Sequence, residues 1–157
     1  MASAQIRNIR LLRAQAHHVP GLESGSTLRV DMNAVPQANL ESRTELRVLI
    51  KYSAQARRSS KSVAEITLSA TFELMYHLPD SAEPSRTGIA AFAHTNAMLN
   101  SFPYWREYVQ STVARMGLPP LVLPLFRIVP PPDKPVASAK NKGLVGHRRR
   151  PGTAPPR

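Results

Sequence analysis

Between Ala64 and Leu78 apolar and polar side chains alternate with almost no fault. Ala64, Ile66, Leu68, Ala70, Phe72, Leu74, Tyr76 and Leu78 share one parity; Glu65, Thr67, Ser69, Thr71, Glu73, Met75 and His77 share the other. A period of two predicts a long strand with one face on a core and the other toward solvent. Residues 42 to 55 repeat the pattern, with Leu46, Val48 and Ile50 on one side and Glu45, Arg47 and Lys51 on the other. The polar, serine-rich stretch from Arg57 to Lys61 separates the two, so an antiparallel hairpin is the economical connection. A further strand is expected over residues 27 to 33, through Leu28, Val30 and Met32. Residues 5 to 16 are less regular. Ile6 and Ile9 stand three apart, which fits a strand with a bulge near Asn8 or, as the competing reading, a helical stripe through positions 6, 9, 12 and 13.

After Leu78 the period changes. Residues 79 to 88, with two prolines and a glycine, read as a loop, and residues 89 to 99 as a short alanine-rich helix. Ser101 is placed to cap a second helix with Pro103 in its first turn, where the missing N–H costs little. Trp105, Val109, Val113 and Met116 then form an apolar helical stripe. Gly117 stands where a left-handed residue ends a helix, and Leu118-Pro119-Pro120 forbids continuation. Four strands followed by a long helix and an extended apolar exit make an α+β pattern.

Composition divides the 157 residues in two. Residues 130 to 157 hold seven of the 21 Lys and Arg, one of the ten acids and seven of the 15 prolines, hence more than half of the +11 net charge. Such a segment cannot bury enough apolar surface to offset its ordering entropy, so it reads as a disordered basic tail behind a domain of residues 1 to 129. Arg148-Arg149-Arg150 is a potential contact for an acidic partner or nucleic acid. A solvated tail that aids solubility is the favoured reading, because no recognition helix or aromatic–basic platform accompanies the charge. No apolar run approaches the roughly 20 residues of a membrane span, and the arginines among the first 13 residues interrupt any signal-peptide core. A soluble cytoplasmic protein is expected.

Catalytic chemistry finds no foothold. The chain has no cysteine, and its five histidines show no HExxH or similar ligand spacing. His17, His18 and His77 read as exposed strand residues rather than a metal site. Nucleophile elbow, phosphate-binding glycine loop and paired-carboxylate motif are all missing, so neither an enzyme nor a resident metal is expected.

The segment Asn100-Ser-Phe-Pro-Tyr-Trp-Arg-Glu-Tyr-Val, followed by Met116-Gly-Leu-Pro-Pro-Leu-Val-Leu, resembles the helix signature of SecB-type chaperones. The matching positions are Phe102, Pro103, Tyr104, Arg106, Glu107, Gly117, Pro119, Pro120 and Leu121. The opening Ala4-Gln-Ile-Arg-Asn-Ile-Arg-Leu-Leu-Arg-Ala-Gln-Ala is similar to the first strand of the SecB-like chaperones that accompany toxin–antitoxin pairs. The resemblance covers most of residues 4 to 129.

That resemblance implies a four-stranded antiparallel sheet packed by a long helix, protomers joined as a dimer of dimers, and passive, ATP-independent holding of unfolded polypeptide. Phe92, Met98, Leu99, Leu121, Leu123, Leu125 and Phe126 are its candidate client-groove residues, and Tyr104, Trp105, Tyr108 and Val109 its candidate oligomer interface. For each of these the alternative is packing within the chain's own core. Methionine suits a groove, since its unbranched, polarizable side chain repacks against different clients. Export chaperones of the family carry acids on the first strand for docking the translocation ATPase SecA. Arg13 and His17 stand at the matching positions here, and only Glu65 keeps an acid at a third. An antitoxin C-terminal segment is therefore the favoured client, and precursor delivery to SecA the alternative.

Overall fold

The computed structural model describes residues 4–20, 28–58, 63–118 and 120–123. Four antiparallel strands form one sheet: β1 (Gln5–His18), β2 (Leu28–Ser42), β3 (Glu45–Arg58) and β4 (Ile66–His77), in the spatial order β1-β4-β3-β2. A helical stretch follows, α1 (Arg86–Phe92), a π-helical turn (Ala93–Ala97) and α2 (Met98–Arg115). The basic tail, with Leu125 and Phe126, lies outside the described residues.

The strongest alternation builds the centre. β3 and β4 are the inner strands, and their apolar parity packs under the helix: Leu46, Val48, Ile50 and Tyr52 from β3, and Leu68, Phe72, Leu74 and Tyr76 from β4. From above, Phe92, Ala97, Phe102, Trp105, Val109 and Val113 close the core. Tyr52 is its hub. Its ring stacks on Trp105 with centroids 5.4 Å apart, and its hydroxyl meets Ser101 Oγ at 2.8 Å and donates to the Met98 carbonyl at 3.2 Å.

Residues 5 to 18 are strand rather than helix, and the bulge expected near Asn8 is present. The register against β4 shifts between Ile6 and Asn8 and again between Leu11 and Arg13. Two inserted residues are what give the sequence its spurious three-residue spacing.

Three expectations are corrected. First, β2 does not end at Asn33 but runs straight through Pro36 to Ser42, because an outer strand tolerates a residue without an N–H donor. Second, the strand expected from Ser42 is broken there by a tight turn at Arg43-Thr44, with Ser42 opposite Glu45. Third, Ser101 caps nothing. It is buried inside the helix, where its hydroxyl donates to the Ala97 carbonyl at 2.9 Å. The cap is Ser85, whose Oγ accepts from the Gly88 N–H at 3.1 Å. The chain crosses from α1 to α2 through the π turn, and Pro103 lies within α2, unable to donate to the Leu99 carbonyl.

The C-terminus of α2 ends as its glycine requires. Gly117 adopts φ +69°, with its N–H on the Ala114 carbonyl at 3.0 Å and the Leu118 N–H on Val113 at 3.2 Å, the paired bonds of a Schellman motif.

Candidate functional site

One helix cannot cover four strands. It shields β3 and β4 and leaves the flanks of the same sheet face open. On the β2 flank the alternation of Leu28, Val30 and Met32 continues through Ala34, Pro36, Ala38 and Leu40, so apolar positions persist while the side chains shrink. Small residues facing a helix leave space between the two.

That space holds two cavities. One, of about 220 Å³, is lined by Met32, Ala34, Tyr52, Met98 and Phe102. The other, of about 460 Å³, lies between Pro36, Ala38 and Leu40 on β2 and Arg86, Ile89, Ala93 and His94 on the helix. Met32 to Leu40 spans about 27 Å of extended chain. Arg86 to Phe102 spans about 24 Å of helix. The two walls match in length and run in opposite directions, so the two cavities lie in succession along one seam between β2 and the helix. Its length suits about eight residues of extended polypeptide.

The walls are chemically passive. Burial pushes the Tyr52 hydroxyl up to about 12, against the opposing hydrogen bond from Ser101, so the groove floor stays uncharged. Burial likewise raises Tyr76, whose hydroxyl accepts from Asn100 Nδ2 at 3.0 Å. No group of three or more His, Asp or Glu is placed to hold a metal ion among the described residues, and no described helix is long and apolar enough to cross a membrane.

Of the candidate groove residues, Met98 lines the groove. Phe92, Leu121 and Leu123 are buried in the chain's own core, and Leu99 is exposed on the helix. Among the candidate interface residues, Trp105 and Val109 are fully buried under the helix, because the sheet claims that stripe first. Tyr104 is half exposed. Tyr108 stacks on Trp105, and its hydroxyl donates to the Gln15 carbonyl of β1 at 3.1 Å. Met32, Ala34, Pro36, Ala38 and Ile89 were not singled out from the sequence. The shrinking apolar parity of residues 28 to 40 is the signal that would have found the first four.

On the other flank β1 is exposed almost throughout, including Ile6, Leu11 and Leu12, and it forms the second edge of the sheet. The face away from the helix is charged. Glu73, expected in solvent, is only 2 % exposed, because Arg10 from β1 and Arg47 from β3 close over its carboxylate. Arg10 foremost, with Arg47 adding and burial opposing, holds that carboxyl below the ordinary range. Glu65 is also buried, held by both nitrogens of an Arg58 fork at 2.5–2.9 Å.

No family model matches the chain. Individual proteins do. The chain is 31 % identical over 144 residues to the SecB-like chaperone Rv1957 of Mycobacterium tuberculosis strain H37Rv, covering 80 % of this chain and 78 % of the relative. Identity and coverage are the same for the SecB-like chaperone MT2006 of strain CDC 1551. Among solved structures, Rv1957 in complex with a ChAD peptide from the Rv1956 HigA1 antitoxin superposes with a TM-score of 0.72 at 27 % identity, over 80 % of this chain and 92 % of that one. A protein of unknown function from Streptococcus agalactiae shares the fold at a TM-score of 0.50 and 8 % identity.

Proposed function

The chain belongs to the SecB-like chaperones, and on that premise we propose that it holds an aggregation-prone polypeptide, an antitoxin segment, in the groove between β2 and the helix without consuming ATP. The observation that carries this reading is the pair of cavities in succession along roughly 25 Å of the seam between β2 and the helix, the smaller one mainly apolar, with Met32 and Met98 on its walls and no ionised group. Side chains of that kind reward apolar content rather than one sequence, which is what holding an unfolded segment requires. Antitoxin as the client class is supported by the relative whose solved structure contains an antitoxin peptide. Control of the cognate toxin would follow from the antitoxin's solubility and lifetime.

Self-association is part of the proposal. Ile6, Leu11 and Leu12 on an outer strand are exposed among the described residues, and a second copy is the economical cover. Delivery to SecA has less support, since Arg13 and His17 are exposed and neither is an acid, and Glu65 is occupied by Arg58.

The test is co-expression of the full chain with a candidate antitoxin. The soluble antitoxin fraction and half-life are expected to rise with the chain present and to fall back when Ala34 and Ala38 are enlarged. Unchanged antitoxin solubility would remove the reading.

A further inference from the structure

The two ends of the groove differ in charge. The end at Met32, Tyr52, Met98 and Phe102 carries none. The end at Pro36 to Leu40 carries a permanent cation, Arg86, and no carboxylate lines either cavity. Arg86 makes no ion pair among the described residues, unlike Arg10, Arg47, Arg57 and Arg58. Its guanidinium is permanently charged and forked, a shape that matches a carboxylate.

We propose that the segment held in this groove is polar in charge: an apolar stretch of about eight residues with a carboxylate at one end, seated against Arg86. This deepens the reading of the groove as a polypeptide site and rests on it. An acidic end placed there gains a cationic partner, whereas the reverse placement would bring the carboxylate among Met32, Asn33, Met98 and Phe102, where no cation lines the cavity. Charge thus sets direction and register in a channel whose apolar walls alone would let a client slide.

Isothermal titration calorimetry of the full chain with three end-blocked nonapeptides rich in valine and leucine separates the possibilities. One peptide carries aspartate at its first position, one at its last, and one asparagine at both. At about 50 mM salt one aspartate peptide is expected to bind roughly fivefold or more tightly than the asparagine peptide. In Arg86→Gln the aspartate and asparagine peptides should bind with equal affinity. Equal affinities for all three would overturn the charge polarity and leave the groove standing. An advantage that survives Arg86→Gln would place the acid elsewhere and overturn it too. Failure of every peptide to bind would remove the groove reading and the polarity with it.

Discussion

Arg47 Nε lies 2.6 Å from Glu73 Oε1 on the face of the sheet that the helix leaves bare. Arg10 takes the other carboxylate oxygen from β1, and Glu41 on β2 approaches Arg47 at 3.7 Å. Charges therefore alternate across all four strands, and each strand is held in register to its neighbour by a pair of opposite sign. Glu73→Gln is expected to lower stability by about 1–2 kcal/mol, measured by urea unfolding through Trp105, the single tryptophan. Both arginines are partly exposed and can be rehydrated, which keeps the loss below that of a fully buried pair.

The same carboxylate gives a pH dependence of known sign. Its native pKa lies below the unfolded value of about 4.3, so the stabilisation is present above that pH and lost as pH falls through the native value. Unfolding midpoints of the parent and Glu73→Gln should differ by a constant amount near neutrality and converge in acid. Midpoints that stay apart at the lowest pH would show that the carboxylate's charge is not the cause.

At high pH the sign reverses and the group is Tyr52. Its neutral hydroxyl is favoured in the native state, so stability is intact below the unfolded value of about 10 and is lost as pH rises through about 12. Tyr52→Phe removes that contribution, leaving a shallower alkaline decline from Tyr76 and Tyr108, which burial also raises. At neutral pH the change should cost about 1 kcal/mol, because Ser101 keeps its own bond to the Ala97 carbonyl.

Gly117→Ala isolates a backbone effect. A Cβ there meets nothing within 4 Å, yet φ is +69°. A loss of about 1 kcal/mol is expected in thermal unfolding, with peptide binding unaffected. A neutral result would mean that the Schellman turn contributes little to the end of α2.

Ala38→Phe probes the groove at a half-buried position that packs against the margin of the core. Ala38 faces the larger cavity from an outer strand, so stability should change by no more than about 0.5 kcal/mol. Suppression of client aggregation, followed by light scattering, should weaken about tenfold. Undiminished suppression at normal stability would move the client site away from β2.

The four strands and the helix stripe were legible because alternation and helical spacing report burial against a single partner, as at Leu46, Val48 and Ile50 or at Trp105, Val109 and Val113. What misled was any residue whose usual meaning depends on its neighbours in space. Pro36 signals a break only if both sides of its strand are paired, and Ser101 signals a cap only if the helix begins there. Glu73 reads as a solvated acid until two arginines from adjacent strands are known to meet it. The groove was half visible. Methionine and aromatic content pointed to Met98, but large side chains such as Phe92 and Leu123 are drawn into the core, and the walls of a channel are made by the alanines that fail to fill it.

Pro36 has one more effect. An outer strand is normally a template on which a sticky extended chain can lay down the next rung of a growing sheet, the first step toward a fibre. Here that row of donors is interrupted at the middle of β2, beside the groove where such chains would gather. The β2 edge therefore offers a neighbouring extended segment no unbroken row of donors on which to seed.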